Sequence, residues 1–289
     1  MNEAGSIAGG EAYEELGELY DVWCAEVVED LPFYTQLARA LAGEQGRDSL
    51  DVVELGGGSG RVTIPLAVDG HRVTAIDASP AQLARLRDRA SEAGVERSTC
   101  AIVGDMRALA QLVPPGSADL VLVPFRGMLH VTAERDAVLA AIHRCLRPGG
   151  VVAFDVFHPS AAQVGATDGH WLDRREETTS SGRWRFQERA RYRPHLAAEP
   201  GGLKLEVDVR CRWRRSRRLG GGSDPAARPD PVDGTHERTA LLELQLVPAE
   251  RWHASLTSTG YVVDGSYGWF DARPLAPHDD DSIWVARRD

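Results

Sequence analysis

The chain has 289 residues, 43% of them hydrophobic, and a formal charge of −10 from 33 basic and 43 acidic side chains. That is enough apolar material for a full core in one domain, or in one domain carrying an insertion. The acidic balance argues against nucleic acid or an anionic membrane as the main partner and favours small molecules, and no stretch approaches the ~20 apolar residues of a membrane span.

Cys24, Cys100, Cys145 and Cys211 show neither C-x-x-C nor His-paired spacing, so they read as reduced thiols of a cytoplasmic protein without a metal site. Met1 to Gly10 carries acid and glycine where a signal peptide needs a basic start and an apolar run. From Glu11 to Ala42 apolar residues recur at helical spacing, and Leu31-Pro32 is expected to break the run into two helices, a lid ahead of the main fold. Strands are then expected near 52–55, 73–77, 99–103, 119–123 and 151–157, with helices near 61–68, 80–93, 106–112 and 133–145. Such alternation predicts an α/β fold, a Rossmann-like doubly wound and mostly parallel sheet, with ligands beyond the carboxyl ends of the strands.

The first strand runs into Glu54-Leu55-Gly56-Gly57-Gly58-Ser59-Gly60-Arg61. Glycines at 56, 58 and 60 let the backbone turn and approach a ligand, and the helix start behind them offers unpaired N–H groups. Asp77 closes the second strand about 20 residues on, where a ribose hydroxyl is held in folds of this kind. The spacing is E-x-G-x-G-x-G, not the G-x-G-x-x-G of a dinucleotide site, because Arg61 stands where a third glycine would be.

These residues resemble the class I S-adenosylmethionine (SAM) dependent methyltransferase family. Asp77-Ala78-Ser79 resembles its second-strand acid, Gly104-Asp105-Met106 its adenine-side motif, and Leu146-Arg147-Pro148-Gly149-Gly150 the turn before its fifth strand. Ser266-Tyr267-Gly268-Trp269-Phe270 with Ser282-Ile283-Trp284-Val285-Ala286 is similar to its closing hairpin, making a seven-stranded sheet. The resemblance implies SAM as cofactor, S-adenosyl-L-homocysteine as product, and a cofactor site built from Tyr20, Glu54, Gly56, Gly58, Gly60, Arg61, Asp77, Ala78, Gly104, Asp105, Met106 and Phe125. Tyr20, in the lid, resembles the aromatic that closes over the sulfonium in small-molecule members such as amino-sugar N-methyltransferases. His130, in the segment after the fourth strand, and His158, after the fifth, join Tyr20 as candidates for the acceptor side. At the ordinary histidine pKa of ~6.5, His130 could take a proton or simply position the nucleophile. Glu54 could touch the cofactor or orient the loop, and Tyr13, Trp171, Trp184 and Tyr192 could form an aromatic wall or plain core.

After the fifth strand the period changes to two. Residues 183–193, 203–213 and 240–246 alternate apolar and polar, which predicts an antiparallel sheet with one wet face. Gly220 to Pro231 reads as a hairpin loop. The eleven arginines between 183 and 218 could contact RNA, DNA or an anionic substrate, but Glu188, Glu206 and Asp208 balance them into an ordinary polar face. The expected organisation is a helical lid at 1–45, a methyltransferase core at 46–158 and 248–289, and an inserted β cap at 159–247. The expected activity is methyl transfer to a small, specialised metabolite, with a homodimer compatible with the sequence. A macromolecular acceptor or a non-catalytic SAM-binding subunit stays open.

Overall fold

A computed structural model describes residues 20, 21, 24, 28–179, 182–215 and 236–289. Tyr13, most of the first expected lid helix and the loop from Gly220 to Pro231 lie outside them. Helix α1 (Asp30–Glu44) precedes β1 (Asp51–Leu55), α2 (Thr63–Val68), β2 (Arg72–Asp77), α3 (Pro80–Glu92), β3 (Thr99–Val103), α4 (Leu109–Leu112) and β4 (Ala118–Val123). A 3-10 segment (Gly127–Glu134) then leads to α5 (Arg135–Cys145) and β5 (Leu146–Phe157). There follow α6 (Ala161–Thr167), β6 (Trp171–Thr179), β7 (Gly182–Arg193), β8 (Leu203–Arg215), β9 (His236–Leu246), α7 (Ala249–Ser258), β10 (Tyr261–Tyr267) and β11 (Asp281–Arg288).

The main sheet runs β10-β11-β5-β4-β1-β2-β3, parallel from β5 to β3, with β11 antiparallel to β5 and β10 antiparallel to β11. All six residues of β4 are buried, as a central strand covered on both faces demands. On one face Val121, Val123, Val152 and Phe154 pack with Leu139, Ile142, Trp252 and Leu256 of α5 and α7. On the other, Leu120, Leu122 and Ala153 meet Tyr34, Ala38 and Leu41 of α1. Helix α3 starts where the local chemistry says it should: Pro80 opens it, and the Ser79 hydroxyl accepts the Gln82 N–H at 3.1 Å.

Three local expectations need correction. The break falls before Asp30, not at Leu31-Pro32, because Pro32 sits in the first turn of α1, where a missing N–H costs nothing. Strand β5 starts at Leu146, five residues early: Ala118 pairs with Leu146 and Leu120 with Val151, so the turn around Gly149 bulges inside the strand. Helix α6 and strand β6 were not read from the sequence; β6 is an edge strand whose pairing shifts between Asp173 and Arg175, which scrambles its alternation.

The second sheet, β6-β7-β8-β9, is antiparallel throughout. Tyr192, Leu205 and Leu246 join the main core, and the Thr132 hydroxyl donates to the Gln245 carbonyl at 2.6 Å. Its wet face is knitted by ion pairs: Arg185 with Asp173, Arg189 with Asp208, and Arg191 with Glu206 and Asp208. Arg189 and Arg210 also lie over the Trp171 ring, at 4.7 and 4.0 Å from its centre.

Asp119 anchors the far end of the main sheet. It is 1% exposed, accepts the Asp51 N–H at 2.8 Å and pairs with Arg47 and Arg147 at 2.6 Å each. These donors hold its carboxyl below the usual carboxylate range despite the opposing effect of burial. Asp119→Ala is expected to destabilise the fold by roughly 1–3 kcal/mol, read as a lower urea midpoint at unchanged m-value.

Candidate active site

A cavity of about 300 Å³ opens at the carboxyl ends of β1, β2 and β4, where the strand order reverses. Except for Gly60 and His158, every residue expected at the site lines it.

The glycines of the first loop serve different ends. Gly56 and Gly58 are left-handed, at φ +73° and +54°, and a Cβ on Gly56 would meet nothing of the chain within 4 Å, so bare backbone borders the cavity. Gly60, also left-handed, packs instead: a Cβ there would stand 3.1 Å from Ile64 and from Leu86. Gly57 was not singled out by pattern, yet a Cβ on it would come 2.8 Å from the Cβ of Ala75, because the loop lies flat on β2.

Asp77 is held by that loop. Its carboxylate accepts the Gly58 N–H and the Ser79 N–H, both at 2.8 Å. A carboxylate oxygen accepts more than one hydrogen bond, so the hydroxyls of a ligand diol can join these donors. Asp105 caps the 3-10 turn at Met106, accepting the Arg107 N–H at 2.8 Å, with the Arg107 guanidinium 3.2 Å away. Glu54 is buried and accepts from the Thr63 hydroxyl; burial pushes its pKa up to about 8, a carboxyl that orients structure rather than carrying charge.

Arg61 turns away from simple ligand duty. It forks onto the buried Asp30 at the head of α1, both bonds 2.6 Å, and lies over the Phe125 ring at 5.1 Å. Lid and loop also meet at Asp21, which accepts from the Ser59 hydroxyl and pairs with Arg89 at 3.2 Å. Tyr20 sets its ring edge-on to Phe125, centroids 6.3 Å apart, and packs on Val209, Ala240 and Leu242 of the inserted sheet. The Cys24 thiol in the same wall is pushed up to about 12 by burial and is not a nucleophile at neutral pH.

Beyond β4, Phe125 and Arg126 are both left-handed, at φ 54° and 60°. Such backbone costs on the order of 1–2 kcal/mol per non-glycine residue. The Arg126 N–H donates to Asp155 at 2.8 Å and its guanidinium to Asp281 at 2.8 Å. His130 follows in the cavity wall, its carbonyl accepting from Arg107 at 2.8 Å. Burial, aided by the Arg107 charge, pushes its pKa down to about 4, not the 6.5 expected of a wet histidine, so the ring is neutral at physiological pH. His158 is not brought to the group: its ring lies 3.2 Å from the Gly201 carbonyl and its N–H donates to Asp280, at the junction with the inserted sheet.

Asp21, Asp30, Ser59, Arg89 and Asp155 belong to the site or its supports and carried no pattern of their own. Only Ser59, inside the glycine loop, was within reach of a local signal.

Residues 52–150 match the model of a methyltransferase domain. Among curated proteins, tRNA 5-carboxymethoxyuridine methyltransferase of Escherichia coli is 34% identical over 121 residues, 42% of this chain and 44% of that one. The chain spans about half the length of the curated relatives it matches. Among solved structures, the CcbJ methyltransferase of Streptomyces caelestis superposes with a TM-score of 0.72 at 19% identity, covering 96% of this chain and 97% of that one. SAM-bound CalS10, an amino pentose methyltransferase of Micromonospora echinaspora involved in calicheamicin biosynthesis, gives 0.60 at 19% identity, covering all of both chains. These likenesses concern the fold, and they cover the second sheet as well as the main one.

The flat seat of the loop gives a direct test. Gly57→Ala drives a methyl into Ala75 and is expected to cost roughly 1–3 kcal/mol of stability, seen by chemical denaturation, while Gly57→Ala combined with Ala75→Gly recovers most of it.

Proposed function

We propose that this protein moves a methyl group from SAM to a small, specialised metabolite: residues 52–150 match the model of a methyltransferase domain, and the chain as a whole shares its fold with a solved methyltransferase. The observation that carries the reading is Asp77, fixed by two backbone N–H groups on the wall of a cavity whose floor is side-chain-free glycine. That wall suits a ribose diol, and the neighbouring Gly104-Asp105-Met106 suits the adenine end. Tyr20 and Phe125 supply aromatic surface, which favours a positively charged ligand group.

When bound, SAM supplies an electrophilic methyl on a sulfonium. The chain's part is to align the acceptor and exclude water, the effect on which this reaction type chiefly depends. His130, neutral and weakly basic, positions the acceptor rather than stripping it of a proton. Tyr20 closes the site from the lid, and the Val209, Ala240 and Leu242 patch beneath it gives the inserted sheet a hand in acceptor choice.

The amino pentose methyltransferase likeness supports a small acceptor, and the paired arginines of the inserted sheet support it further, since their charge is already neutralised. The tRNA methyltransferase relative favours a second reading, an RNA acceptor. Labelled SAM offered with metabolite, RNA and protein fractions separates them: label in small molecules upholds the first reading, and label confined to RNA replaces it with the second.

Calorimetry tests the cofactor. S-adenosyl-L-homocysteine is expected to bind and NAD not, and Asp77→Ala is expected to weaken the former by roughly 1.5–3 kcal/mol; tight NAD binding with no S-adenosyl-L-homocysteine binding would end the assignment. For His130 the direction of the pKa sets the pH profile. The neutral ring is the working form, so the rate should stay flat through pH 6.5 and fall only as pH drops toward about 4. His130→Ala is expected to slow transfer roughly tenfold with little change in cofactor affinity.

A further inference from the structure

Asp155 stands outside the cavity wall and outside every motif of the chain, yet it touches both elements that frame the site. Val123 of β4 pairs with Phe154 of β5, so Asp155 comes level with the chain as it leaves β4. It is 5% exposed. One carboxylate oxygen accepts the Arg126 N–H at 2.8 Å, and the other accepts the Tyr34 hydroxyl at 2.6 Å. Tyr34 is fully buried in α1, among Phe33 and Phe270.

We propose that Asp155 is a positioning residue, whose carboxylate holds the left-handed turn at Phe125 and Arg126 and, through Tyr34, ties that turn to helix α1. Two considerations carry it. Consecutive left-handed non-glycine residues persist only where the surroundings over-determine them, and Asp155 is the buried group that grips the turn by its backbone. Helix α1 also reaches the same loop by a second path, from Asp30 through the Arg61 fork to the face of Phe125. Seating of α1 and placement of Phe125 are thereby one event. A carboxylate suits the task because its two oxygens take one donor each, Arg126 N–H on one and the Tyr34 hydroxyl on the other, whereas an alanine methyl accepts from neither.

The consequence for the cofactor rests on the methyltransferase reading; the anchor itself does not. Asp155→Ala is expected to raise hydrogen–deuterium exchange about tenfold in a peptide covering residues 124–130, while peptides from β1 and β4 keep wild-type rates. Affinity for S-adenosyl-L-homocysteine should fall about tenfold, because Phe125 no longer holds its place in the wall. In an Arg126→Gly background, which already lacks the guanidinium bond to Asp281, Asp155→Ala should cost little further affinity, since glycine adopts the left-handed backbone without support. A general loss of packing would cost the same in either background. Unchanged exchange at 124–130 in folded Asp155→Ala overturns the proposal, as does a cost undiminished in the Arg126→Gly background. Should Asp155→Ala not fold, Tyr34→Phe removes only the hydroxyl and carries the same test: faster loop exchange supports the anchor and unchanged exchange refutes it. If the wild-type protein binds no S-adenosyl-L-homocysteine while the exchange result holds, the anchor stands and the cofactor assignment falls.

Discussion

Carboxyl groups crowd the carboxyl edge of this sheet, among them Asp30, Glu54, Asp77, Asp105 and Asp155, and so much negative potential in one half-dry place must be answered locally. Each is answered in its own way. Asp77 is held by backbone N–H groups, Asp30 and Asp105 by arginines, Glu54 by a hydroxyl, and Asp155 by a hydroxyl and a backbone N–H. At Glu54 and Asp155 burial outweighs the nearby charges of Arg61 and Arg126 and raises the pKa, to about 8 for Glu54 and about 6 for Asp155. Asp77 and Asp105 thus face the cavity, whereas Asp30 and Asp155 brace its walls.

What could be read from the amino-acid order follows from range. The strand-loop-helix around Gly56 to Gly60, the acid at Asp77 and the alternation of strands and helices are local patterns, and the fold realises them within a residue or two, apart from the early start of β5. The two-residue period of β7 and β8 was equally plain, because one face of that sheet is buried. The bracing contacts were not legible. Asp155 meets Tyr34 across 121 positions of sequence and Arg61 meets Asp30 across 31, and no periodicity reports on partners so far apart. Gly57 was overlooked for a related reason: its need for a bare Cα comes from β2 beneath it, not from its own backbone angle. The choice between base and positioning group at His130 was not legible either, because the burial that lowers its pKa comes from neighbours brought together in space.

The arginines of the inserted sheet illustrate the limits of composition. A run of basic residues suggests an anionic partner until the neighbouring strands are laid beside it, when Asp173, Glu206 and Asp208 take up the charge across the strands. Cross-strand pairs of this kind stabilise sheets modestly, and they also fix register, since a one-residue slip would set Arg189 and Arg191 opposite Leu205, Val207 or Val209 instead of their acids.

That same arrangement bears on how the molecule keeps to itself. Strand β6 ends its sheet, and an uncovered edge offers unpaired backbone groups to any passing strand. Its sequence, Trp171-Leu172-Asp173-Arg174-Arg175-Glu176-Glu177, bears charges of both signs, most of them engaged with β7, and a shift of register interrupts it midway. A strand docking there would meet a kinked rim of fixed charge rather than a flat ribbon. The second sheet therefore guards its own margin against fibrous self-association.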